Sequence, residues 1–138
     1  MSVFMLNEDL IKHLLNISIE AGNAILEIYD SNFSFDMKGD ESPITKADII
    51  SHEIISKSLR KITPKIPVLS EESSNIQFNK RSKWETYWLI DPLDGTKEFI
   101  KKNGEFTTNI ALIESNTPIF GMIHSPVLDE TYWGFHNT

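Results

Sequence analysis

Two aspartates three positions apart, Asp91 and Asp94, stand at the end of an apolar run and carry the strongest chemical signal in the sequence. Tyr87-Trp88-Leu89-Ile90 is an unbroken apolar and aromatic stretch, the composition of a strand covered on both faces. Asp91 ends that run, Pro92 fixes one φ angle, and Gly95 permits a tight backbone path. Such a turn can aim both carboxylates into one small volume, where they repel each other unless a cation sits between them. Oxygen-only ligands favour a hard ion such as Mg²⁺, which keeps waters that a phosphate group can displace. Asp-Pro and Asp-Gly are also ordinary turn dipeptides, so taken alone Asp94 can equally cap the turn that follows.

The elements that would position this turn are legible on either side. Asn7 to about Tyr29 is predicted to be an amphipathic helix, with Asn7 as its cap and Glu8 and Asp9 at its positive end. Phe33 to Lys38 alternates like a strand. Thr45 followed by Asp48 approximates a capping box, which opens a second helix running to about Lys61 and burying Ala47, Ile50, Ile54, Ile55 and Leu59. Val68-Leu69 is a short strand, and Ser70-Glu71-Glu72-Ser73-Ser74 after it has the composition of a solvated loop. Asn75 to Glu85 is expected to be a surface loop. Beyond the central turn, Thr107–Glu114, Pro118–His124 and Glu130–Phe135 are predicted to form an antiparallel meander. His13, His52, His124 and His136 show no ligand spacing and are taken as structural or surface residues.

The chain has 138 residues, 40% of them hydrophobic, which is enough for one domain with a real core. A formal charge of −7 argues against a nucleic-acid surface, and an acidic protein handling a phosphate needs a cation to reverse the local sign. With no cysteine, disulfides, thiolate metal sites and a cysteine nucleophile are excluded. No apolar run approaches the roughly 20 residues of a spanning helix, and the first residues turn acidic too soon for a signal peptide. The expectation is a cytoplasmic protein without a transmembrane segment; peripheral attachment to the inner membrane face is left open.

Asp91-Pro92-Leu93-Asp94-Gly95-Thr96 resembles the metal-binding signature of the inositol monophosphatase superfamily, the Mg²⁺-dependent, lithium-sensitive phosphatases. The continuation from Lys97 to Thr107 is most similar to the bacterial 3'(2'),5'-bisphosphate nucleotidase branch. Ser42-Pro43-Ile44-Thr45-Lys46-Ala47-Asp48 resembles the S-P-V-T-x-A-D segment of that family, and Leu69-Ser70-Glu71-Glu72-Ser73 its S-E-E segment. The resemblance implies metal ligands at Glu71, Asp91, the Leu93 carbonyl and Asp94, and two or three Mg²⁺ ions in the intact family site. It implies catalytic roles for Asp48, Glu72 and Thr96 around the attacking water, and phosphate contacts at Asp94, Gly95 and Thr96.

The implied fold is α+β, of the layered α/β/α/β sandwich type, with two N-terminal helices packed on a largely antiparallel sheet. Residues 1–138 would be the N-terminal metal-binding domain of a sugar-phosphatase-like fold, with the C-terminal half absent. That half carries a W-D-x-x-A-G segment, and no Trp-Asp dipeptide occurs here. An uncovered sheet edge is therefore expected, with a homo-oligomer formed through it. The implied reaction is hydrolysis of adenosine 3',5'-bisphosphate to AMP and phosphate. Alternatives are an inositol-1-monophosphatase, a sugar bisphosphatase of the same superfamily, or an inactive metal-binding module.

Overall fold

The computed structural model describes residues 6–31, 42–70 and 77–136. Helix α1 (Glu8–Tyr29) begins where the sequence predicts, with Asn7 Oδ1 accepting from the Leu10 N–H at 2.8 Å and two acids in the first turn. Its buried stripe is Leu14, Ile17, Ala21, Ile25 and Tyr29. Helix α2 (Pro43–Ile62) starts earlier than expected. Its cap is Ser42, whose Oγ accepts from the Thr45 N–H at 3.2 Å, so Thr45 is not the cap and Asp48 lies beyond the first turn. The physical reason is Pro43, whose fixed φ and missing N–H suit the first helical position. Of the predicted core residues, Ala47, Ile55 and Leu59 are buried, while Ile50 and Ile54 are only half-buried.

Five strands follow: β1 (Val68–Ser70), β2 (Thr86–Asp94), β3 (Thr107–Glu114), β4 (Thr117–Ser125) and β5 (Glu130–Phe135), in the spatial order β1-β2-β3-β4-β5. The β1–β2 pair is parallel and the other three are antiparallel. The sheet is thus mixed, and α+β with helices packed on it is the observed class. The predicted meander is present almost residue for residue. A one-turn helix, α3 (Phe78–Arg81), interrupts the stretch expected to be a loop, and α4 (Thr96–Lys101) follows β2. The predicted strand at Phe33–Lys38 lies outside the described residues.

The main core forms where α1 and α2 cover one face of the sheet. Leu14, Ile17, Ala21, Ile55 and Leu59 pack on Val68, Trp88, Ile90, Ile110, Leu112, Phe120 and Met122. Trp88 is fully buried and satisfies its indole by donating to Thr63 Oγ1 at 2.9 Å; that hydroxyl in turn donates to the Leu59 carbonyl at 2.7 Å. The end of α2 is thereby tied to the middle of β2. The expectation that β2 is covered on both faces is not met among the described residues: Leu89 keeps 40% of its surface exposed, because strand alternation turns it away from the helices. Strands β1 and β5 are the two edges of the described sheet, and on β5 Tyr132, Trp133 and Phe135 are exposed. No helix among the described residues is long and apolar enough to cross a membrane.

His124 on β4 is buried against α1, with Nδ1 2.8 Å from Thr131 Oγ1. A Cβ on Gly22 would stand 2.9 Å from the His124 ring, so α1 needs glycine at the crossing. Gly22→Ala is expected to cost about 1–3 kcal/mol through overpacking, read as a lower urea midpoint. Burial holds the His124 imidazole below its ordinary value, against opposing pulls from the Asp129 charge and a hydrogen bond with the Glu130 backbone. The unfolded chain therefore takes up the proton more readily than the folded one. Stability should be full above the ordinary histidine value of about 6.5 and fall as pH drops through the window below it. Unfolding midpoints between pH 7.5 and 5.5 should show this loss, and His124→Gln should flatten it.

Candidate metal and phosphate site

Strand β2 does not stop at Asp91. Asp91 pairs with Asn109 and Asp94 with Thr107, so Pro92 and Leu93 face the single residue Thr108 across the ladder. This is a β-bulge, and Pro92 suits it because it has no N–H to give to the ladder. The consequence for chemistry is direct. In a regular strand, residues three apart point to opposite faces. One extra residue in the bulge restores the parity, and Asp91 and Asp94 come to the same side.

Asn109 makes that shared side visible. It stands opposite Asp91 in the register, yet its Nδ2 donates to Asp94 Oδ2 at 3.2 Å. Thr107 Oγ1 donates to Asn109 Oδ1 at 3.0 Å, which fixes the amide's orientation. Asp91 is half-buried with its Oδ1 closed off from solvent, whereas Asp94 is exposed. No motif in the sequence marks Asn109; its one signal there is an amide inside the alternating strand at Thr107–Glu114.

Gly95 carries the chain out of the strand. Its φ is +90°, and a Cβ there would stand 3.1 Å from the Glu105 carbonyl oxygen and 3.3 Å from the Phe106 Cα. Both the left-handed backbone and the close approach call for glycine. Thr96 then opens α4 and is exposed, close to the two carboxylates in sequence. The turn is seated by Phe99, which packs in a three-ring cluster with Tyr29 and Phe106 at centroid distances of 4.8 to 5.3 Å. Lys102, in the left-handed region itself, donates Nζ to the Tyr29 carbonyl at the end of α1 and lies 4.3 Å over the Tyr29 ring. A cation there complements the helix C-terminus.

Helix α2 packs against the same turn from behind. Ala47 packs in the cluster that contains Leu93 and Phe99, and Ser51 Oγ donates to the Pro92 carbonyl at 2.7 Å. Asp48, half-buried, lies between those two anchors in sequence. Glu71 and Glu72 lie outside the described residues. Their predecessor Ser70 pairs in parallel with Ile90, the residue before Asp91. Among the described residues, no group of three or more histidine, aspartate or glutamate side chains could hold a metal ion. The structure thus turns Asp91 and Asp94 to one side of β2 and follows them with Gly95 and Thr96, while Asp48 belongs to α2, the helix that packs against this turn through Ala47 and Ser51.

A family model, the inositol monophosphatase family, matches residues 6–138. The chain belongs to the inositol monophosphatase family. Within it, the chain is 48% identical over 126 residues to the 3'(2'),5'-bisphosphate nucleotidase CysQ of Salmonella typhimurium, covering 90% of this chain and 51% of that protein. The CysQ of Haemophilus influenzae is 38% identical over 128 residues, covering 93% and 48%. Among solved structures, CysQ from Bacteroides thetaiotaomicron superposes with a TM-score of 0.80 at 42% identity, over 92% of this chain and 46% of that one. An inositol monophosphatase from Zymomonas mobilis gives 0.76 at 28% identity, over 98% and 49%. The chain spans about half the length of the curated relatives it matches.

Two substitutions test the turn. Gly95→Ala forces a non-glycine residue into the left-handed region against a main-chain oxygen, and should lower stability by about 1–3 kcal/mol in urea unfolding. Thr108, opposite the bulge, is fully buried, and its Oγ1 has no hydrogen-bond partner among the described residues. Thr108→Val keeps the shape and removes that hydroxyl, so it should be neutral or stabilising by up to about 1 kcal/mol in the same assay.

Proposed function

We propose that this chain supplies the cation-binding and phosphate-binding side of a phosphate monoesterase that converts adenosine 3',5'-bisphosphate to AMP and phosphate. The observation that carries the reading is the bulge at Pro92–Leu93, which turns Asp91 and Asp94 to one side of the strand end. The nucleotide is chosen over inositol 1-phosphate because the nucleotidase relatives cited here are 38–48% identical and the cited inositol monophosphatase is 28% identical.

The donor set suits Mg²⁺. Asp91, Asp94, the Leu93 carbonyl and Glu71 offer only oxygen, and the closed-off Asp91 Oδ1 is a carboxylate oxygen turned away from bulk water. Glu71 follows Ser70 in sequence as Asp91 follows Ile90, the parallel partner of Ser70, and this supports an ion shared by the two carboxylates. When bound, the cation offsets the negative charge of carboxylates and phosphate and makes water a better nucleophile. The protein's own groups do the rest. The Thr96 hydroxyl orients the attacking water, backed by Asp48 or Glu72. The N–H groups of Gly95 and Thr96 hold phosphate oxygens as charge builds on them. In-line attack by water forms the new P–O bond while the ester P–O bond breaks; the attacking water gives up one proton and the leaving oxygen takes up one from solvent, so the reaction balances. Residues 1–138 act as the metal-binding domain in this scheme.

The test measures phosphate released in Mg²⁺ from adenosine 3',5'-bisphosphate and from inositol 1-phosphate. The expected outcome is faster release from the nucleotide, loss of at least about a hundredfold in Asp91→Asn, and inhibition by Li⁺. Preference for inositol 1-phosphate would replace the nucleotide reading with the inositol one. Mg²⁺ binding without release from either substrate would mark a binding module that does not turn over.

A further inference from the structure

Asn109 is joined to both aspartates of the turn. It is the ladder partner of Asp91, and its Nδ2 donates to Asp94 Oδ2 at 3.2 Å. Thr107, the ladder partner of Asp94, donates from Oγ1 to Asn109 Oδ1 at 3.0 Å. The tie therefore crosses the bulge, with one β3 residue from each of the two ladder pairs that flank it. Its polarity follows from chemistry. A carboxylate only accepts, so the amide turns its nitrogen to Asp94 and leaves Oδ1 for a donor, which Thr107 supplies. Asp91 and Asn109 also line one cleft of about 390 Å³, on the side of the sheet where Leu89 and Ile123 stay exposed.

We propose that Asn109, oriented by Thr107, is a positioning residue that holds Asp94 in its cation-binding orientation. The inference rests on the reading of Asp91 and Asp94 as cation ligands. Asn109 is not a ligand in that reading; it acts through the Asp94 carboxylate. Asp94 is exposed, and an exposed side chain samples several rotamers. Freezing that freedom when a cation binds weakens the binding. A hydrogen bond from a half-buried amide on a paired strand removes the freedom beforehand. One bond to Oδ2 leaves most lone pairs of the carboxylate for a cation. An amide suits the position because it is neutral. A lysine or arginine would fix Asp94 as well, and would then repel the metal ion. Hydrogen bonds one step removed from a metal commonly alter its affinity by about 10–100-fold when removed.

The experiment titrates Mg²⁺ calorimetrically into the 138-residue chain and into Asn109→Leu, Thr107→Val and Thr107→Ser. Asn109→Leu keeps the bulk without the amide, and should weaken Mg²⁺ by about tenfold or more. Thr107→Val keeps the shape without the hydroxyl, and should weaken it by a smaller factor. Thr107→Ser keeps the hydroxyl and should bind as the wild type does. Thr108→Val is the control. It removes a hydroxyl from the next residue, whose side chain points to the other face, and should leave the affinity unchanged. A second readout needs no metal. In the Mg²⁺-free chain one proton of the Asn109 side-chain amide, bonded to a carboxylate, should resonate away from its ordinary place, and Asp94→Ala should return it. If Asn109→Leu does not fold, the two Thr107 variants decide the question. Unchanged affinity in folded Asn109→Leu, wild-type affinity in Thr107→Val, or an amide signal that Asp94→Ala does not move overturns the positioning role and leaves the cation site standing. A wild-type chain that binds no Mg²⁺ overturns the cation reading, and the positioning role with it.

Discussion

The bulge at Pro92–Leu93 is the constraint on which the rest depends. Without the extra residue, Asp91 and Asp94 would face opposite sides of β2, one toward the helices and one away. With it, both face the side where Asn109 links across from β3. At the residue opposite, a threonine hydroxyl is buried without a hydrogen-bond partner among the described residues. It persists because its surroundings over-determine it. Pro92 cannot donate to a ladder, Ser51 takes the freed carbonyl, and Gly95 turns the chain at a φ that other residues resist.

How much of this was legible in the sequence depends on what each residue reports. Helical periodicity gave α1 to within a residue, because Asn7, the two acids and the apolar stripe all agree. The meander of β3, β4 and β5 was equally plain from alternation and turn residues. The start of α2 is ambiguous in the sequence because Ser42-Pro43 and Thr45-Asp48 both look like helix openings, and the fixed φ of proline decides between them. The bulge was not legible at all. Asp91-Pro92 looks like the end of a strand, and that the ladder resumes at Asp94 depends on Thr107, which is distant in sequence.

The candidate site divides along the same line. Its acidic residues stand out in the sequence because carboxylates beside an apolar run are unusual. Their supports do not. Ser51 and Asn109 are ordinary polar residues in amphipathic elements, and nothing local marks Ser51 as a partner of Pro92, 41 residues away. Parity explains why: a helix shows which face is buried, but not which strand's carbonyl lies beneath it.

Two separate apolar clusters explain how the site can be held firmly without being buried. The larger lies between the helices and the middle of the sheet, around Trp88. The smaller gathers Ile25, Tyr29, Ala47, Leu93, Phe99 and Phe106, and lies directly behind the turn. Four elements meet in the second cluster: α1 through Tyr29, α2 through Ala47, β2 through Leu93 and α4 through Phe99. Asp94 and Thr96 stay exposed while Leu93, one residue before Asp94, and Phe99, three residues after Thr96, are nearly or wholly buried. A six-residue helix such as α4 would not persist alone. Packing of Phe99 against the Tyr29 and Phe106 rings, with Lys102 tied to the end of α1, makes its start a fixed feature. The polar groups can therefore face solvent and an anionic ligand while their backbone belongs to the core.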